Sequence, residues 1–406
     1  MDAVDRIDPQ PWMTEPATAA VLGALARGGV EARFVGGCVR DALLGRAIVD
    51  IDLATPAPPQ DVTRLLSAAR FKVVPTGLKH GTLTAVVPPR HFEITTLRRD
   101  VENFGRHAKV AFTDDWAEDA RRRDFTMNAL FLDQEGRVFD PVGGLPDLRA
   151  GRVRFVGDAE QRIREDVLRL LRFYRFHAHY GRGEPDAAAR AACRKLAPLL
   201  PGLSGERVQA ELLKLLGAPD PVPTLRLMVE DGVLAVLLPE AARIELVGAV
   251  AALEPERDRV RRLAALLTPD RVAALAVSQR LRVSNEIRDR LVDLADPAWP
   301  VDLDGDARAQ RRALRHLGLN RYRDLVVLRG AETGAVERAR ALFAEAPALA
   351  PPDFPIKGRD VTRLGLSPGP KVGRLLREVE EWWEAGDFRA DRAACLARLK
   401  ELSQPR

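Results

Sequence analysis

The spacing of apolar residues changes character partway along the chain. Residues 32–35, 50–54, 71–74, 82–87 and 91–95 form short apolar or alternating runs bounded by Gly, Pro and Asp, and predict strands. Between them, residues 17–26 and 60–69 repeat apolar side chains at helical spacing. Residues 151–156 are the last run that predicts a strand. Beyond it, apolar positions recur with helical spacing in 167–177, 208–216, 260–267 and 307–317. Stretches rich in Pro, Gly or Asp interrupt this helical region at 216–222, 296–306 and 345–360. The pattern predicts an α+β N-terminal head, a small mixed sheet with helices, followed by an all-α neck, body and tail. The expected boundaries are 1–155, 156–217, 218–345 and 346–406.

Composition narrows this picture modestly. A chain of 406 residues exceeds one ordinary core. Hydrophobic residues make up 46% and charged residues 30%, as in a globular protein. No run of 18 apolar residues exists, so no membrane span is expected. The N-terminus lacks a basic region followed by an apolar stretch, so no signal peptide is expected. Cys38, Cys193 and Cys395 lie far apart and make no metal-ligand spacing; reduced thiols in a cytoplasm are the simplest reading. The net charge of +5 is compatible with RNA, but arginine outnumbers lysine 55 to 8, a bias that a GC-rich genome also produces.

Most of the chemistry is concentrated in residues 34–52, FVGGCVRDALLGRAIVDID. Asp50 and Asp52, one residue apart on an expected strand, project from the same face. Two hard oxygen ligands at that separation suit Mg²⁺. Upstream, Gly36 and Gly37 end a strand and lead into a short helix that carries Arg40. Backbone N–H groups at such a turn make an anion site. Phosphate cradle, arginine and carboxylate pair together suggest a nucleoside triphosphate bound through its metal.

A triphosphate site that works through two metal ions calls for a further carboxylate, and Glu93 in HFEITTLRRD, on an expected strand, is the candidate. Residues 164–176, REDVLRLLRFYRF, place Asp166, Arg169, Arg172 and Arg175 at intervals of three, a slanted row if the segment is one helix. The plain reading is a salt-bridged amphipathic helix. A sharper one is base recognition, because an aspartate beside an arginine offers an acceptor next to donors. Cytosine and adenine each show an amino group beside a bare ring nitrogen, whereas uracil and guanine show a carbonyl beside a ring N–H. A good bidentate contact gives roughly 1–3 kcal/mol of discrimination.

The string Gly-Gly-x-Val-Arg-Asp-x-Leu-Leu-Gly followed by Asp-x-Asp resembles the signature of the DNA polymerase β-like nucleotidyltransferases. Within them it is similar to the branch holding class II CCA-adding tRNA nucleotidyltransferases and bacterial poly(A) polymerases. RRRDFTMNA at 121–129, the turn DPVGGLPDL at 140–148 and GLKHGT at 77–82 resemble further family segments. Glu165-Asp166-Val167-Leu168-Arg169 matches the Glu-Asp-x-x-Arg motif of the class II enzymes, and LSGERVQAELLKLL at 203–216 resembles the next neck motif. The resemblance implies an N-terminal nucleotidyltransferase head with Asp50, Asp52 and Glu93 as catalytic carboxylates and Mg²⁺ on Asp50 and Asp52. It further implies nucleotide contacts from Gly36, Gly37, Arg40 and Arg123. Asp166 and Arg169 would read CTP and ATP, with Arg172 and Arg175 in support. Residues 98–112 resemble a flexible loop that assists the change from C to A, with Arg98 and Asp100 as actors. The implied partners are ATP, CTP and the acceptor arm and 3′ end of tRNA, the last reached by the tail; oligomeric state stays open. Alternatives are a poly(A) polymerase, a CC-only or A-only enzyme, or a non-catalytic RNA-binding module.

Overall fold

The computed structural model describes residues 1–104, 107–363 and 369–403, leaving aside the side chains of Lys79, Asp100 and residues 101–110. The chain divides into two compact units, Met1–Pro239 and Glu240–Arg406.

The first unit opens with an eight-stranded mixed sheet. Its strands are β1 (Asp5–Arg6), β2 (Arg33–Val35), β3 (Ile51–Thr55), β4 (Lys72–Gly77), β5 (Thr82–Val87), β6 (Arg90–Thr96), β9 (Phe131–Leu132) and β10 (Arg137–Phe139), while β7 (Arg98–Phe104) and β8 (His107–Phe112) pair separately. Spatial order is β1-β10-β9-β2-β3-β6-β5-β4. Every neighbouring pair is antiparallel except β3 and β6, which run parallel. The crossover between those two contains the helix Pro59–Ala68, which follows Pro58 and buries Val62 and Leu66. Helix Pro16–Arg27 buries Val21, Leu22 and Leu25. Beneath the strands, Val35, Ala54, Leu97, Trp116, Phe131, Phe139 and Val156 form one apolar cluster. The strand expectations at 32–35, 50–54, 71–74, 82–87 and 91–95 coincide with β2 to β6 to within a few residues at their ends.

Three segments differ from expectation. Residues 151–156 form an isolated bridge, Phe125 to Phe155, rather than a strand. Left-handed glycines, Gly151 and Gly157, bound the segment, and its aromatic residue stacks on Phe125 and Phe173. Residues 98–112 were expected as a loop, but β7 and β8 pair from Arg98–Phe112 to Phe104–His107 as a hairpin. The helix expected across 164–176 is broken. One helix, Ala159–Glu165, ends before Asp166, whose backbone is extended (φ −151°, ψ 105°), and a second runs Leu168–Tyr180. Asp166 accepts a hydrogen bond from the Leu168 N–H through its side chain and from the Arg169 N–H through its carbonyl. An aspartate that bonds its own neighbouring backbone favours a helix start over a helix interior.

The second unit is helical wherever it is described with regular structure. Its long helix Ala307–Thr333 is interrupted at Gly318, whose φ of 72° is left-handed. Near its C-terminus, Ile356, Val361, Leu375, Val379, Trp383, Phe388, Cys395 and Leu399 form a separate apolar cluster. No helix among the described residues is long and apolar enough to cross a membrane.

Candidate active site

Register between the two parallel strands sets the centre of the site. Asp52 on β3 lies opposite Glu93 on β6, and Asp50 immediately precedes the first residue of β3. Asp52 is half-buried, whereas Asp50 and Glu93 are exposed. Burial, then the charges of Glu93 and Asp50, push the Asp52 carboxyl up to about 6, against the pull of Arg123. The side chains do not by themselves close a ready-made cage: among the described residues no three His, Cys, Asp or Glu side chains converge on one metal position. A half-buried carboxylate crowded by two like charges is nonetheless a site whose electrostatics a divalent cation would relieve.

The glycine turn borders Asp52. Gly36 has φ 73° and ψ −127°, a conformation that L side chains rarely adopt. A Cβ placed there would lie 3.8 Å from both Asp52 Oδ2 and Arg123 Nη1. Gly37 begins the helix Gly37–Leu43, and a Cβ on it would lie 3.7 Å from Arg40 Nη2. The turn thus brings bare backbone beside Asp52 and both arginines. Behind it, Cys38 Sγ lies 3.2 Å from the Val35 carbonyl and 3.7 Å from that of Asp52, and burial pushes this thiol up to about 12.

Arg40 is buried and already engaged. It donates to Asn128 Oδ1 at 2.8 Å and to Asp41, and its guanidinium lies 4.2 Å from the centre of the Tyr180 ring. Arg123 donates to the buried Asp119 at 2.8 Å. Burial pushes the Asp119 carboxyl up, but Arg123 and Arg122 outweigh it and hold it below the usual carboxylate range. The residues 121–129 do not continue as a helix: Trp116–Arg121 is helical, and Thr126–Asn128 forms a single tight turn. Asn128 still reaches back to Asp124 Oδ1 at 3.0 Å.

The arginine row of the neck is held by carboxylates from other elements. Arg172 donates to Asp124, and Arg175 donates to Glu211. Burial pushes the Asp124 carboxyl up, yet Arg172 and Asn128 hold it at about 2. Arg169 bonds to Glu165 and to the Arg162 carbonyl, and Asp166 accepts from Arg207 Nη2 at 2.7 Å. Asp166 and Arg169 are therefore neighbours in the chain with separate charge partners. Asp119, Glu165, Arg207 and Glu211 had not been singled out as site residues from the sequence. Signals were present for three of them: Glu165 opens the Glu-Asp-x-x-Arg match, and Arg207 and Glu211 lie four apart in the neck segment 203–216. Arg98 donates to the His80 carbonyl at the base of the hairpin, and the Asp100 side chain lies outside the described residues.

Fold and site together define a nucleotidyltransferase head followed by helical domains. Residues 32–154 match the family model described as "Poly A polymerase head domain", and residues 184–245 match "Probable RNA and SrmB- binding site of polymerase A". The CCA tRNA nucleotidyltransferase 1, mitochondrial, of Mus musculus is 34% identical, over 91% of this chain and 87% of that one. The CCA-adding enzyme of Geobacillus stearothermophilus is 33% identical, over 95% and 96%. The crystal structure of the Bacillus stearothermophilus CCA-adding enzyme in complex with CTP superposes with a TM-score of 0.75 at 31% identity, covering 95% of this chain and 96% of that one. The chain belongs to the family of CCA-adding tRNA nucleotidyltransferases.

Proposed function

We propose that the protein completes the 3′ end of tRNA, transferring CMP, CMP and AMP from CTP and ATP without a nucleic-acid template and releasing pyrophosphate. The observation that carries this reading is Asp52, opposite Glu93 in register, two residues after Asp50 and beside the Gly36 turn, in a chain similar over nearly its whole length to CCA-adding enzymes.

In this reading Asp50 and Asp52 hold Mg²⁺, with Glu93 as the third catalytic carboxylate. Bound Mg²⁺ would supply Lewis-acid stabilisation of charge on the phosphoryl oxygens and acidify the attacking 3′-hydroxyl. The backbone of Gly36 and Gly37, with Arg40 and Arg123, takes the triphosphate. Asp166 and Arg169 read the base edge. Each carboxylate oxygen has two lone pairs, so Asp166 Oδ2 keeps one after bonding Arg207. Arg172 and Arg175 support the nucleotide, and Arg98 and Asp100 assist the change from C to A. Head 1–155, neck 156–217, body 218–345 and tail 346–406 are the working parts, with the tail along the acceptor arm of tRNA. The three free cysteines are all buried and accord with a reducing cytoplasm.

An extension assay tests the proposal. Protein and Mg²⁺ are mixed with tRNA lacking its CCA end, with CTP, ATP or both, and products are read at single-nucleotide resolution. Two additions with CTP and a third only with both are expected. Long tails with ATP alone would instead make it a poly(A) polymerase, the reading that the name of the head-domain family favours.

A further inference from the structure

The helix Gly205–Leu216 lies against the arginine row with two opposite charges one turn apart. Glu211 receives Arg175 and stands 3.9 Å from Arg172. Arg207 donates to Asp166, Nη2 to Oδ2 at 2.7 Å. The two partners are 41 residues apart in sequence. Asp166 itself sits in the break between two helices, with an extended backbone. No helical hydrogen-bond ladder fixes the direction of its carboxylate. Two contacts do so: the Leu168 N–H on Oδ1 at 3.2 Å and Arg207 on Oδ2. The first is neutral and long; the second is short and charge-assisted, the stronger kind. Both groups are about one quarter exposed, so water competes for the carboxylate whenever Arg207 lets go.

We infer that Arg207 is a positioning residue for base selection: its bond to Asp166 aims the carboxylate so that one remaining lone pair of Oδ2 meets the amino group of an incoming cytosine or adenine. The inference rests on the reading that Asp166 contacts the base. A carboxylate offers only acceptors. It rejects a carbonyl oxygen, which also brings only acceptors. A carboxylate free to turn can swing away from uracil O4 or bridge to it through water, and discrimination falls. Arg207 thus acts through another residue and touches no substrate.

The test measures kcat/KM for CTP and for UTP, on tRNA lacking its CCA end, in wild type, Arg207→Ala, Arg207→Lys, Asp166→Ala and the double variant. Arg207→Ala should lower the CTP-to-UTP ratio by roughly tenfold, on the scale of a lost bidentate contact. Arg207→Lys, which keeps a charged donor without the planar fork, should recover part of it. In the Asp166→Ala background, loss of Arg207 should change the ratio no further, because both act at one point. An unchanged ratio in Arg207→Ala and Arg207→Lys, with both substrates slowed equally, would make Arg207 a structural residue and overturn the inference. So would effects of Asp166→Ala and Arg207→Ala that add in full, or a lower KM for CTP at an unchanged ratio, which would mark Arg207 as an obstacle to the base. If Asp166→Ala leaves the ratio unaltered, the base-reading assignment itself fails, whatever Arg207 does. Should Arg207→Ala not fold, Arg207→Lys and Arg207→Gln carry the comparison.

Discussion

At the scale of single residues, Asp52 is the group whose surroundings most constrain its chemistry. Its folded carboxyl titrates at about 6 rather than 3.8. The folded protein therefore holds a proton there that the unfolded chain has lost, and stability falls as pH rises through that interval. The loss is about 3 kcal/mol by pH 7. In chelator, Asp52→Asn should melt higher than wild type at pH 7 but not at pH 4, and added Mg²⁺ should close the gap from the wild-type side. Thermal melts at both pH values check this; a gap independent of pH would remove the electrostatic account. Asp50 has a different expected signature. Asp50→Ala should abolish transfer and spare tRNA binding, as read by the extension assay and by filter binding; loss of binding in a folded variant would point to a structural role. These acids and Gly36 were legible in the sequence because their arrangement is local: one residue between two aspartates, one glycine at a strand end. Glu93 was legible as a candidate carboxylate on a strand, but its position relative to Asp52 was not. Its place opposite Asp52 comes from the register of two strands joined by a long crossover.

At the scale of elements, the neck depends on pairing between helices that no local pattern announces. The three-residue spacing of Asp166, Arg169, Arg172 and Arg175 suggested one uninterrupted helix, but Asp166 bonds its own neighbouring backbone and breaks it. Arg175 lies 36 residues from its partner Glu211, and Arg172 lies 48 from Asp124. Such distances in sequence explain why Glu211 was not foreseen, although its helix was. Glu211 is nearly fully buried, so removing it leaves two guanidinium groups short of a partner. Glu211→Ala should destabilise the protein by about 3–5 kcal/mol, the usual consequence of orphaning a buried charge. Urea denaturation should show a lower midpoint at unchanged slope. The hairpin β7–β8 is hard to read from sequence for a related reason: its alternation of polar and apolar residues is weak, and pairing between its own strands creates it.

At the scale of the whole molecule, two compact units with separate apolar clusters imply separable folding. A fragment of residues 1–239 should unfold cooperatively on its own and bind CTP, while its affinity for tRNA falls, since the tail is proposed to follow the acceptor arm. Urea titration and filter binding on the fragment decide the point; a fragment that binds tRNA as tightly as the full chain would relocate the RNA site to the first unit. The fold class of both parts was legible because the rhythm of apolar residues differs so plainly between them. The division into two compact units after Pro239 is coarser than the four parts read from the sequence. The arginines proposed for the nucleotide are paired in advance: Arg123 with Asp119, Arg172 with Asp124, Arg175 with Glu211, Arg40 with Asn128 and Asp41. Those partners order each guanidinium before any nucleotide arrives, and a guanidinium carries five N–H donors. If Arg40 and Arg123 take the triphosphate as proposed, it meets donors already held in place, and little side-chain freedom is left to lose on each successive addition.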